Sequence, residues 1–143
     1  FGSQRNLMEI PVTVGFNRKN YDLMRSVYNN ISHPHLDKLR LVAIFWHTFL
    51  MRKLYLSPEM TTSHDMCLLV NTALANDLPV IHMFLHSSSL IDGATGFMKQ
   101  SDAFNVICEN IESVIEHSKN IANVKFCTIS EAAILLKQRQ IEL

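Results

Sequence analysis

The chain has 143 residues, 48% of them hydrophobic and 18% charged, enough apolar matter for a buried core and too much for a disordered polymer. Its 13 basic and 13 acidic side chains cancel, which removes the basic excess that a nucleic acid or an anionic membrane would select. A single domain over residues 1–143 is expected, with no nucleic-acid partner.

Residues 1–6 carry no apolar run and no cleavage-like site, so no leader is read there. Residues 9–16 (EIPVTVGF) are rich in β-branched side chains and predict a strand. The polar turn Asn17-Arg18-Lys19-Asn20 leads into a helix with Tyr21, Met24, Val27 and Tyr28 on one face. Ser32-His33-Pro34 stops it. A longer helix is predicted over 35–53, with Leu36, Leu39, Ala43, Trp46 and Leu50 as its main stripe. Leu41, Val42, Ile44, Phe45 and Phe49 make it apolar nearly all round, and such a helix must be covered nearly all round. Residues 36–51 therefore predict a covering partner, either further chain or a second copy in a homo-oligomer. The run 41–51, interrupted by His47 and Thr48, is too short to span a bilayer.

Residues 54–57 predict a short strand stopped by Pro58. Thr62 caps a helix that turns Met66, Val70, Ala73 and Leu74 inward. Residues 80–85 (VIHMFL) form the strongest strand, apolar enough for a sheet covered on both faces. The loop 87–101, with Gly93 and Gly96, is long enough to suggest function. A helix over 102–119 follows, striped by Phe104, Ile107, Cys108, Ile111, Val114 and Ile115. Residues 124–127 predict a buried strand, and Thr128-Ile129-Ser130-Glu131 is a capping box for a final helix. Cys67, Cys108 and Cys127 form no Cys-x-x-Cys pair, and each reads as a small core hydrophobe in a reducing, cytoplasmic setting. The order β-α-α-β-α-β-α-β-α implies an α/β fold with parallel strands, a partial (β/α) barrel.

In such folds active sites gather where strands end. The second strand ends in Ser57-Pro58-Glu59 and the third in His86-Ser87-Ser88-Ser89. Alternation along the third strand turns Val80, His82, Phe84 and His86 to one side, with His86 at the rim. A rim imidazole can give or take a proton at neutral pH. Ser87, Ser88 and Ser89 stand beside it as candidate substrate contacts. Glu59 either orients His86, meets a substrate hydroxyl, or is a solvated carboxylate ahead of a helix.

Met83-Phe84-Leu85-His86 resembles the last signature of NodB-type polysaccharide deacetylases, in which a hydrophobic strand delivers a histidine. The string His86-Ser87-Ser88-Ser89-Leu90 with Gly93, preceded by Leu56-Ser57-Pro58-Glu59 and Glu9-Ile10-Pro11-Val12-Thr13, resembles one bacterial branch of that family. The match covers most of this chain and the later half of the family's barrel. It implies a hydrolase that removes N-acetyl groups from a polysaccharide or glycan precursor. In it His86 is the general acid toward the leaving amine, and the whole family uses a divalent metal, usually zinc.

The sequence has no adjacent aspartate pair and no His-Ser/Thr-x-x-His segment. The metal site is thus expected in a missing N-terminal half, with no ion on this chain and no activity from it alone. His82 and His86 would lie roughly 13 Å apart on a strand and could not share an ion. His33 and His35 are either a metal pair or a turn between helices, and His47, His64 and His117 read as helix-surface or interface residues. Two other readings stand beside the enzyme. One is an inactive sugar or small-ligand module using the 87–101 loop. The other is a scaffold that dimerises through 36–51.

Overall fold

The computed structural model describes residues 8–98 and 101–141; the opening stretch read as free of a leader lies outside them. The chain runs β1 (Val14–Phe16), α1 (Tyr21–Ile31), a 3-10 turn (Pro34–Leu39), α2 (Leu41–His47) and β2 (Lys53–Tyr55). It continues through α3 (Ser63–Ala75), a second 3-10 turn (Ser87–Leu90), α4 (Ala103–Ile121) and α5 (Ile129–Ile141). Helix takes 54% and strand 5% of the described residues. β1 and β2 pair antiparallel, with Gly15 opposite Leu54. The parallel-stranded partial barrel is therefore overturned. Among the described residues the sheet is a two-stranded antiparallel ribbon with helices packed around it.

Residues 80–85, expected as the strongest strand, are extended but form no ladder. Thr13 N–H donates to the His82 carbonyl at 3.0 Å, and Phe84 N–H to the Leu56 carbonyl at 3.2 Å. His82 N–H goes to the Thr13 hydroxyl at 2.7 Å. A side-chain oxygen thus accepts the His82 amide where a ladder carbonyl would otherwise stand. Residues 124–127 likewise form no strand. Phe126 is 64% exposed beneath the Lys119 ammonium, and Cys127 is exposed, so neither is the core residue expected.

The long helix expected over 35–53 is broken in two places. Arg40, at φ 48°, separates the first 3-10 turn from α2, and Phe49, at φ 57°, follows its end. The break has identifiable partners. Asn17 Nδ2 donates to the Phe49 carbonyl at 3.1 Å, and Arg18 Nε donates to the Leu50 carbonyl at 3.1 Å. Those carbonyls are the ones a continuing helix would have used. Leu39, Ile44, Phe49 and Leu50 remain at least half exposed.

α3 and α4 form the core with the ribbon. Met66, Leu69 and Val70 of α3 and Val114 of α4 bury against Leu54 and Leu56. Met98, Ala103 and Ile107 make a second buried group under the 87–98 loop. The expected stripes hold for most positions, but Leu74 is 41% and Phe104 56% exposed, so each marks the edge of its face. On α1, Tyr21, Met24, Val27 and Tyr28 share the half-buried side, and the Phe16 ring lies tilted against both tyrosine rings, with centroids 5.8 Å away. The Thr128–Glu131 box forms as read: the Thr128 amide donates to Glu131 at 2.7 Å, and the Glu131 amide returns to Thr128 Oγ1 at 3.3 Å.

Candidate active site

Glu59 leaves the ribbon on a tight turn. Leu56, Ser57 and Pro58 are buried, and the amides of Met60 and Thr61 both close onto the Ser57 carbonyl, at 3.2 and 3.0 Å. Asn110 of α4 pins the turn, its Nδ2 donating to the Pro58 carbonyl at 3.1 Å. This aims the Glu59 carboxylate inward, with no side-chain exposure at all.

His86 reaches the same point from the extended segment 80–85. It begins the 3-10 turn Ser87–Leu90, with the Ser89 amide on its carbonyl at 2.9 Å. Its Nδ1 lies 2.5 Å from Glu59 Oε1, and its own amide donates to Oε2 at 3.3 Å. With Nδ1–H given to the carboxylate, Nε2 is the free ring nitrogen. The imidazole side chain is 58% exposed. So the pair joins an accessible ring to a fully enclosed carboxylate.

Burial works against the charge on Glu59, but hydrogen bonds from the Ser89 hydroxyl and from the ring and amide of His86 outweigh it. They hold the carboxyl below its usual range. Ser89 is fully buried and its Oγ also meets Thr95 Oγ1 at 3.2 Å, whereas Ser87 and Ser88 are exposed. The three candidate serines thus divide: two face solvent next to His86, and one supports the carboxylate from within.

The loop supplies two features that sequence reading passed over. Phe97, 52% exposed, lies nearly parallel to the His86 ring, with an interplanar angle of 11° and centroids 6.1 Å apart. Asp92 takes the amide hydrogens of Asp102 and Ala103 at 3.0 and 2.7 Å, which ties the loop to the start of α4 and holds its carboxyl below the usual range. Asn110 had a legible signal. It falls three residues after Ile107 and four before Val114, inside the buried stripe, where a polar side chain needs a partner. Phe97 had none beyond its place in a long loop.

His82 and His86 do not share a cavity. His82 lines a separate hollow of about 330 Å³ between the 80–83 segment, α4 and α5, with its Nδ1 at 3.4 Å from the Ile10 carbonyl. His33 Nδ1 accepts from the His35 amide at 3.4 Å and the two rings stack at 4.9 Å, so this pair begins the first 3-10 turn. His117 Nε2 meets Asn71 Oδ1 at 3.0 Å across the α3–α4 contact. Among the described residues no three His, Cys, Asp or Glu side chains converge. The described residues thus offer no ligand set for the divalent metal that the resemblance implies for the whole family. No described helix is long and apolar enough to cross a membrane.

No family model, no curated protein and no solved structure matches this chain.

Proposed function

We propose that the chain carries the proton-transfer half of a hydrolase acting on N-acetylated glycans, with His86 as general acid and Glu59 as the residue that positions it. The supporting observation is the exposed imidazole fixed by its Nδ1 to a fully buried carboxylate. A carboxylate in that place selects the tautomer and aims the ring, leaving Nε2 turned toward a substrate. Amide cleavage needs such a group, because an amine departs only once its nitrogen has been protonated. The protonated Nε2 gives its hydrogen to the leaving nitrogen while Glu59 keeps its charge throughout. Ser87 and Ser88 supply exposed hydroxyls beside the ring, and Phe97 offers an aromatic face for the sugar.

Acetate release from N-acetylated oligosaccharides tests this, measured on the longest natural polypeptide that contains the sequence. His86→Ala should lower the rate by about two to four powers of ten. An unchanged rate removes His86 from the chemistry. The Phe97–His86 stack also favours a second reading, in which the same surface only holds a sugar. Retained glycan affinity in a protein that releases no acetate selects it.

A further inference from the structure

A second hollow adjoins the site, and its lining is of a different kind. The space beside Glu59 and Phe97 measures about 260 Å³, and the neighbouring space about 300 Å³. Met60 and Thr61 line both, so the two are consecutive along one surface. Three aromatic side chains, Tyr28, Trp46 and Tyr55, line the second, together with Lys53.

Lys53 is set there by the ribbon. It stands two residues before Tyr55 on β2, so both project to one side of the strand. Its Nζ lies 5.4 Å from the Tyr28 ring and 5.7 Å from the Tyr55 ring, a cation held between two π faces. Among the described residues the ion pairs are Arg52 with Asp65 and His86 with Glu59, and neither involves Lys53. Arg52, whose guanidinium covers Trp46 at 4.5 Å, is already balanced by Asp65 at 2.9 Å. The hollow therefore presents apolar ring faces and one ammonium with no carboxylate of its own. Ring faces suit the C–H side of a pyranose, and the unmatched charge suits an anion.

We propose that this hollow is a subsite for an acidic sugar unit, a hexuronate whose carboxylate meets Lys53 and whose ring lies against Trp46 or Tyr55. The inference rests on the glycan reading of the Glu59–His86 site and narrows its substrate to a chain in which N-acetylated and carboxylated sugars are neighbours. The two adjoining spaces take one unit each.

The chain's single tryptophan is Trp46, so its fluorescence reports occupancy of this hollow directly. The probes are a hyaluronan tetrasaccharide, which alternates N-acetylglucosamine with glucuronate, and neutral N-acetylchitotetraose. The acidic probe should shift the fluorescence saturably and bind at least tenfold more tightly than the neutral one. Lys53→Met should remove that preference, Lys53→Arg should keep most of it, and salt should weaken acidic binding alone. The proposal is overturned by equal affinity for both probes or by calorimetric binding without a fluorescence change. Absence of binding at millimolar probe, or equal losses in the Met and Arg variants, also overturns it. None of these readouts requires turnover, so acetate release can fail while the subsite stands, and the reverse.

Discussion

Because the hydrogen bonds to Glu59 outweigh its burial, the carboxyl stays ionised to lower pH in the folded chain than in the unfolded one. Its stabilisation is complete above the ordinary value of 4.5 and drains away as pH falls through the lowered, folded value. Thermal midpoints taken from about pH 6 down to about pH 3 should therefore fall, and Glu59→Gln should flatten that fall. Asp92 and Glu131, also held below their usual range by amide bonds, are common to both proteins and cancel in the comparison. An acid slope unchanged by the substitution would show that folding leaves the Glu59 carboxyl at its ordinary value. At this scale the two residues singled out in the sequence do meet, though by a different route from the one expected. Glu59 and His86 were expected at the ends of parallel strands, but a turn and an irregular extended segment bring them together. Ser87, Ser88 and Ser89 could not be told apart beforehand. Their difference is burial, which the 3-10 turn decides by directing one hydroxyl inward.

Helices were the legible elements. α3 and α4 announce themselves through apolar spacing and Thr62, whose hydroxyl accepts from the Asp65 amide at 3.2 Å. Strands were less so, because a short apolar run says nothing of whether a neighbour will complete its ladder. The ribbon that did form depends on a close approach at Gly15. A methyl group there would meet Leu69 Cδ1 at 2.6 Å, and Leu69 is 2% exposed within the main core. Gly15→Ala should cost about 1–3 kcal/mol, seen as a lower thermal midpoint. Gly96→Ala, where nothing lies within 4 Å, should leave the midpoint level or slightly raised. Equal behaviour of the two variants would mean that Leu69 moves aside freely.

Over the described part of the molecule, burial is concentrated on two helices. α3 and α4 together hold seven of the buried hydrophobic residues: Met66, Leu69, Val70, Ala73, Ala103, Ile107 and Val114. α5 contributes Ala132, while its Ile129, Ile134 and Leu135 are 64%, 57% and 43% exposed. Local opening follows such differences in buried contact. Hydrogen exchange should therefore find the α3 and α4 amides slowest and those of α5 among the fastest. Comparable protection of α5 would imply that something covers it in solution. The sequence predicted over 36–51 a single helix, apolar nearly all round and needing a covering partner. The structure spreads that apolar surface over a broken segment, since carbonyl capture by Asn17 and Arg18 is a long-range event that periodicity cannot register.

Glu59 divides its two oxygens between different parts of residue 86. Oε1 holds the ring, and Oε2 holds the main-chain amide, which every amino acid except proline possesses. Trimming the imidazole would leave that second anchor in place, and because the ring is largely exposed, solvent can fill the vacated position. The architecture thus separates reactivity from attachment. Position 86 can lose its chemistry and still be moored, so a silent variant there speaks about the reaction rather than about a collapsed fold.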